Sequence, residues 1–243
     1  NRPPAPDDLI PQFDLIKKAT VAFNLPSIEI EGYEADDIIA SYAVQARELG
    51  AEVTIVSSDK DLMQLVGNGV SMYDAMKNKV IHREEVVEKF GVEPKRVIDV
   101  QSLAGDSVDN IPGAPGIGVK TAALLISEYG DLDSLLERTD EIRQPKRRQA
   151  LIDNLEKIII SRELVTLKTD VPLPQKLDQF QLKDMKPEII INFMSEMGFK
   201  TLTKRISNKL NFNPISNESD VTIGTTTSLK SNASHEKYIQ NIP

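Results

Sequence analysis

The chain has 243 residues and no cysteine, which excludes a disulfide framework and any thiolate metal site. Its two histidines, His82 and His235, lie far apart in sequence, which excludes a multi-histidine zinc site. With 29 Lys and Arg against 37 Asp and Glu, the net charge is −8. That balance argues against a nucleic-acid partner unless the acids are clustered to hold metal. No apolar run approaches ~20 residues, so no membrane span is predicted.

Helix and strand patterns alternate through the first third of the chain. Apolar spacing predicts helices over 7–24 and 34–49. The β-branched run 52–57 predicts a buried strand of a parallel sheet. A helix-like segment at 62–66 and a β-rich segment at 70–81 follow. This order predicts an α/β sheet with right-handed crossovers.

The pattern turns helical after residue 84, and the two ends of the chain differ from the middle. Helical spacing is found over 84–90, 94–104, 119–129, 146–163 and 186–197. Residues 211–243 are rich in Ser, Thr and Asn without an apolar period, which predicts a flexible tail or linker. The start, Asn1-Arg2-Pro3-Pro4, has no Met and no signal-peptide pattern, which indicates a fragment or a processed chain.

Three short clusters of carboxylates stand out. They comprise Glu34, Asp36 and Asp37; Asp59 and Asp61; and Asp106 and Asp109. The first begins the second helix, where acids also suit the helix dipole. The second follows the buried strand, where open α/β sheets bind ligands, although an aspartate there can also cap the next helix. The third lies in a loop, where turn and capping chemistry is the alternative.

Taken together, the clusters predict a site with oxygen ligands alone. Such ligands select hard cations, Mg²⁺ or Mn²⁺, over zinc. Carboxylates at close range are costly unless a cation neutralises them. A pocket with many carboxylates at strand ends is what a two-metal phosphodiester hydrolase needs, with its metals about 4 Å apart.

A glycine-rich hairpin follows the third cluster. Gly116 and Gly118 let the backbone approach another molecule closely, and the helix from Val119 presents free N–H groups with Lys120 beside them. This arrangement is an anion site suited to a nucleic-acid phosphate, although glycines in such turns are often only structural. The spacing is neither that of a Walker loop nor that of a dinucleotide fingerprint. A helix–hairpin–helix gripping the DNA backbone without reading sequence fits best.

These motifs resemble the 5′-nuclease domain of bacterial DNA polymerase I, in the flap-endonuclease superfamily. The resemblance is carried by segments 32–37, 58–61, 105–113 and 116–122, and it covers roughly residues 1–210. It implies a PIN-like α/β domain with a parallel sheet, followed by a helix–three-turn–helix DNA-binding element. The implied domains are 1–90 for a partial catalytic domain, 91–210 for the helical region and 211–243 for a linker toward absent domains.

The resemblance also implies a reaction and a set of residues. The reaction is 5′→3′ exonuclease and flap cleavage of DNA, which removes RNA primers and supports nick translation, with two Mg²⁺ or Mn²⁺ ions. The implied substrates are nicked, flapped or gapped duplexes and RNA–DNA primer junctions, bound by a monomer in the bacterial cytoplasm and away from membranes. The seven acids would bind metal, and all of them except Glu34 would be catalytic. Arg2, Gly116, Gly118, Lys120 and Thr121 would bind DNA, with a K⁺ ion at the hairpin.

The chain departs from the family pattern at its start. The family has further strands there, which carry more metal-binding aspartates, and more basic arch residues over the 5′ strand. We therefore expect this fragment to be poorly stable or prone to aggregate, to bind duplex DNA weakly through the hairpin, and to cut little or nothing. One alternative is a non-catalytic duplex-binding module, which would gain nothing from crowded acids. Another is a Mg²⁺-dependent phosphatase of small molecules, which has no use for the hairpin.

Two further basic clusters have an open interpretation. They are Lys146-Arg147-Arg148 and the group Lys200, Lys204, Arg205 and Lys209. Either cluster is a DNA contact or a solvated helix face, and the resemblance favours the Lys120 region over both.

Overall fold

A computed structural model describes residues 4–212. Arg2 and positions 213–243, which hold nearly all of the predicted tail, lie outside the described residues. The chain divides into two compact units: one is Leu25–Lys183, and the described part of the other is 4–24 with 184–212.

Helices dominate both units. They are α1 (Gln12–Ala22), α2 (Ala35–Glu48), α3 (Arg83–Phe90), α4 (Val97–Ala104), α5 (Val119–Tyr129), α6 (Leu132–Glu137), α7 (Pro145–Asp153), α8 (Leu155–Val165), α9 (Pro187–Glu196) and α10 (Lys200–Lys209). Short 3-10 helices lie at Asp61–Leu65, Pro94–Arg96, Thr139–Glu141 and Leu177–Gln179.

A small sheet lies in the unit Leu25–Lys183. Its strands are β1 (Val53–Val56), β2 (Val70–Asp74) and β3 (Lys79–Ile81), in the order β1-β2-β3. β1 runs parallel to β2, with Val53 opposite Val70, and β3 pairs antiparallel with β2. The predicted α/β pattern is confirmed, with the correction that the described sheet is parallel only between β1 and β2.

Some predicted elements have different bounds in the structure. The β-rich segment 70–81 is two strands, because a turn containing Asn78 at φ 51° reverses the chain. The predicted helix 146–163 is two helices, α7 and α8, because Asn154 at φ −120° and ψ 21° interrupts the α conformation. The first helix begins only at Gln12, after a run of turns and Pro11.

The main core forms around α4. This helix packs against both α5 and α8. Its residues Val97, Val100 and Leu103 are completely buried, and burial of each such side chain contributes about 1.5–3 kcal/mol. The same helix also carries the polar side chain of Gln101 into the buried region.

The other unit has a smaller core of its own. Ala22 of α1 packs with Ile190 and Ile191 of α9, and Ile206 of α10 and Leu210, which follows α10 directly, lie against them. None of the helices within residues 4–212 combines the length and apolar character that crossing a bilayer requires.

Candidate active site

The first acidic cluster lies at the N-terminus of α2. Glu34 is the extended N-cap residue, and Asp36 and Asp37 are in the first turn, where the helix dipole favours negative charge. Asp37 accepts a 2.8 Å hydrogen bond from the backbone N–H of Lys168. No local motif signals this bond, because its partners are 131 residues apart. Asp37 thus also tethers the segment after α8 to α2.

The second cluster follows β1 in a tight turn. The Asp59 carboxylate accepts the backbone N–H of Asp61 at 3.0 Å, which starts the 3-10 helix Asp61–Leu65. The Asp61 carboxylate accepts a 2.5 Å hydrogen bond from the side-chain amide of Gln101 on α4. The predicted polar turn is therefore present, with the correction that the N-cap residue of the 3-10 helix is Lys60, which makes no side-chain capping bond. The turn bond orients Asp59, and the amide of Gln101 orients Asp61.

The third cluster lies on a loop that closes on itself. Asp106 and Ile111 exchange backbone hydrogen bonds of 2.8 and 2.7 Å, and the Asp106 carboxylate accepts the backbone N–H of Val108. Its other oxygen pairs with the ammonium of Lys60. Burial opposes the charge of Asp106, but the hydrogen bonds from Lys60 and Val108 prevail and lower its pKa.

The pKa of Asp36 indicates that the first two acidic clusters lie close together. Burial, followed by the charges of Asp59, Asp61, Glu34 and Asp37, raises the pKa of Asp36 from 3.8 to about 6. The first cluster is therefore within electrostatic range of the second.

The third cluster is linked to the second in the same way. Burial, and after it the charges of Asp59 and Asp109, raise the pKa of Asp61 against the opposing amide of Gln101. The ammonium of Lys60 interacts with Asp106, Asp61 and Asp109. All seven predicted acids thus belong to one electrostatic network.

The acids of this network are not arranged as a complete metal-binding site. Among residues 4–212 no three His, Cys, Asp or Glu side chains are arranged to hold a metal ion. Lys60, Gln101 and the Lys168 N–H already engage carboxylates of Asp106, Asp61 and Asp37. The donors still fit a hard divalent cation, because they are carboxylate oxygens and because a cation would relieve the crowding that raises the pKa of Asp36.

Two participants in this network were not predicted from the sequence. Lys60 stands between two aspartates, and that position was an available signal for a built-in counter-cation. Gln101 is 4% exposed, on the face of α4 that also carries Val97, Val100 and Ala104, and its Oε1 has no hydrogen-bond partner among the described residues. A polar residue at an apolar-stripe position, four residues after Val97 and three before Ala104, was the available signal for it.

The predicted hairpin precedes α5 in the same unit. Gly116 has φ +81°, and a Cβ at Gly116 or Gly118 would meet no atom within 4 Å, so the backbone there is open to close approach. Gly118 is the N-cap of α5, with no side chain of the described residues capping the helix. Lys120 is exposed and Thr121 is partly exposed in the first turn. The structure therefore presents free N–H groups and a cation side by side.

The geometry defines a class: an α/β domain with convergent carboxylates, joined to a helical region with an open hairpin. Two family models match this chain. The N-terminal resolvase-like domain of 5′-3′ exonucleases matches residues 1–91, and their C-terminal SAM fold matches 92–188. The chain belongs to the 5′-3′ exonuclease family.

Individual relatives agree with this assignment. A 5′-3′ exonuclease of Aquifex aeolicus is 37% identical over 207 residues, which are 84% of this chain and 70% of that protein. A DNA polymerase I of Rhizobium leguminosarum is 58% identical over 207 residues, which are 85% of this chain and 20% of that protein. The chain therefore spans about a fifth of the length of that polymerase.

The solved structures confirm the predicted fold class. The bacteriophage T5 D15 flap endonuclease, crystallised with DNA and metal ions, superposes with a TM-score of 0.56 at 24% identity. The match covers 82% of this chain and 65% of the phage protein.

Proposed function

We propose that this chain is the 5′-nuclease part of a DNA polymerase I-type protein. It hydrolyses phosphodiester bonds in the 5′→3′ direction and cleaves 5′ flaps, using two Mg²⁺ or Mn²⁺ ions. The observation that carries the proposal is the single electrostatic network of seven acids, in the same unit as an open, uncapped helix N-terminus. The Aquifex relative is named a 5′-3′ exonuclease, and structures of the T5 enzyme contain metal ions.

The roles of the residues follow from their chemistry. The seven acids, Glu34, Asp36, Asp37, Asp59, Asp61, Asp106 and Asp109, hold the cations. When bound there, the cations would supply an activated water and would neutralise charge on the leaving oxygen. Lys60 and Gln101 keep Asp106 and Asp61 oriented through the contacts described above. The hairpin at Gly116 and Gly118, with Lys120 and Thr121, holds the duplex backbone, and we assign the K⁺ ion implied by the resemblance to the same hairpin.

The proposed substrates share a free 5′ end at a duplex junction. They are nicked, gapped and flapped duplexes and RNA–DNA primer junctions, bound by a monomer in the bacterial cytoplasm. We assign to Arg2, which the resemblance implies as a DNA-binding residue, a contact with the 5′ strand of the substrate.

We also propose that residues 1–243 alone cleave the substrate only weakly. β1 pairs only with β2 in the part of the chain that the structure describes, and its Val56 is 67% exposed.

The direct test is a cleavage assay on a 5′-flap duplex labelled at its 5′ end. Short labelled products in Mg²⁺ or Mn²⁺, and none in EDTA, are expected even if turnover is slow. A chain that binds the flap duplex yet yields no product in either metal would instead be the non-catalytic duplex-binding module. Release of phosphate from small phosphomonoesters, without cutting of DNA, would indicate the phosphatase.

The hairpin contact can be tested separately from cleavage. Lys120→Ala should weaken duplex binding about equally across sequences. It should also reduce the slope of log affinity against log salt by roughly 0.9, as expected for the loss of one phosphate contact. Fluorescence anisotropy in EDTA at several salt concentrations measures both quantities. A loss confined to particular sequences would show that the hairpin reads bases.

A further inference from the structure

Helix α10 carries an unusual concentration of positive charge. Its ten residues include four cations and no acid, in a chain whose net charge is −8. The cations are Lys200, Lys204, Arg205 and Lys209, all of them exposed. Within residues 4–212 none of the four has an acidic partner at ion-pair distance. Their charge is therefore available to a ligand.

The apolar side of α10 is already used. Ile206 and Leu210 pack against the core formed by Ile190 and Ile191 of α9. An amphipathic helix that binds a bilayer needs a free apolar face to insert, whereas the apolar face of α10 is packed against this core. The outward face is therefore cationic and polar, which favours a hydrophilic polyanion over a membrane surface.

A groove of about 500 Å³ runs along this face, beside the end of α9. Its lining includes Ser195, Lys200, Thr203, Lys204, Ser207 and Asn208. Lys200 and Lys204 are one helical turn apart, so their ammonium groups lie on the same side of the helix. The Thr203 hydroxyl donates to the carbonyl oxygen of Phe199 at 2.8 Å, so the further donors beside the lysines are the side-chain amide of Asn208 and the hydroxyl of Ser195. We call this surface the α10 groove.

Arg205 and Lys209 do not line the α10 groove. They lie on a different flank of the same helix, about 100° or more around the axis from Lys204, as the 3.6-residue period requires. The two pairs therefore carry equal charge on one helix but differ in their relation to the groove. This difference allows a site to be distinguished from a general positive field.

We propose that the α10 groove binds the sugar-phosphate backbone of duplex DNA, as a second contact in addition to the hairpin at Gly116–Lys120. Lys200 and Lys204 contact phosphates, and Arg205 and Lys209 add only to the surrounding potential. The groove offers cations and donors in one row without a fixed arrangement for base edges, so the contact is independent of sequence. The inference rests on the proposed function, because it assumes that DNA is the substrate.

The test compares two double variants with equal loss of charge. Lys200→Ala/Lys204→Ala should reduce the slope of log affinity against log salt by roughly 1.8, and weaken binding of a nicked duplex by about tenfold or more at 0.1 M salt. Arg205→Ala/Lys209→Ala should leave the slope within about half a unit of wild type. Anisotropy in EDTA measures both, and circular dichroism with a melting curve checks that each variant is folded.

The possible results separate this inference from the proposed function. If the two double variants reduce the salt slope equally, the effect reflects only net charge, and the proposed groove contact is wrong. The proposal is also wrong if Lys200→Ala/Lys204→Ala leaves the slope unchanged. Binding of anionic vesicles or of a polyglutamate peptide that depends on the lysine pair, with DNA binding unaffected, would assign the surface to another partner and overturn it too. Failure of the wild-type chain to bind or cut any duplex would instead count against the nuclease proposal.

Discussion

Asp36→Asn should abolish cleavage and at the same time stabilise the metal-free protein above pH 6. The carboxylate is half-buried among four other acids, and burial and their charges raise its pKa to about 6. Removing a ligand of the proposed cations should slow cleavage of a 5′-flap duplex by about a thousandfold or more, because bound metal stabilises the transition state by several kcal/mol. Asparagine nearly preserves the shape of the side chain and removes the repulsion.

The pH dependence follows from proton linkage. Between the ordinary pKa of 3.8 and the folded-state value of about 6, the folded protein binds more protons at Asp36 than the unfolded chain does. The contribution of Asp36 to stability therefore falls as the pH rises through this window, and its ionised form is unfavourable above pH 6. Asparagine carries no such cost, so the melting temperature of Asp36→Asn should exceed that of wild type at pH 7.5. The two should agree near pH 3.5, where both states of the wild type are largely protonated.

Thermal melting in EDTA at these two pH values, together with the flap assay in Mg²⁺, measures both effects. A gain of about 2–4 °C is expected for each kcal/mol recovered. Asp170→Asn is the matched control, because Asp170 is exposed and stands outside the acidic network. It should change neither cleavage nor melting. Near-wild-type cleavage by Asp36→Asn would show that Asp36 is not a ligand of the proposed cations. A melting temperature below that of wild type at pH 7.5 would show that the neighbouring acids do not destabilise the ionised carboxylate of Asp36.

The convergence of the acids was predictable because local rules place each cluster. A helix start, the carboxyl end of a strand and a glycine-bounded loop are all readable from short motifs, and open α/β sheets bring strand ends to one edge. The contacts of Lys60 with Asp106 and of Gln101 with Asp61 were not predictable in this way, since their partners are 46 and 40 residues apart. Such pairings depend on how α4 packs, and periodicity contains no information about that packing.

Helix α10 was not predicted for a different reason. Its sequence, KTLTKRISNK, has only two apolar residues, Leu202 and Ile206, and two residues, Ser207 and Asn208, that favour caps or turns over helix interiors. Local propensity is therefore weak, and the contacts of Ile206 with the small core supply the missing stabilisation. At Asn154 the error is the opposite one, since the sequence predicted more helix than the structure has. The apolar pattern continues past Asn154 and predicted one helix over 146–163, but the backbone conformation of Asn154 separates α7 from α8.

The loop that carries Asp106 and Asp109 depends on two glycines whose backbones touch. Gly113 has φ +56°, and a Cβ on it would lie 2.4 Å from the nitrogen of Gly105 and 2.7 Å from the carbonyl carbon of Ala104. These neighbours are backbone atoms, so no side-chain rotation can relieve the contact. The Gly113 N–H also donates to the buried hydroxyl of Ser161 on α8 at 2.9 Å, which anchors the loop to the core.

Gly113→Ala should therefore destabilise the protein by about 3 kcal/mol or more, from left-handed backbone strain and from the forced separation of the two strands of the loop. Gly116→Ala is the matched control: its φ is +81°, but a Cβ there meets nothing within 4 Å, so only the strain of roughly 1–2 kcal/mol remains. Urea unfolding of both variants gives the steric contribution to the loss of stability as the difference between their unfolding free energies.

The same loop holds Asp106 beside Lys60. Gly113→Ala should therefore also lose flap cleavage under conditions where it is still folded, whereas Gly116→Ala should lose mainly duplex affinity. Equal unfolding free energies for the two variants would mean that the backbone of the loop can open without cost, and that its closure does not fix the position of the third acidic cluster.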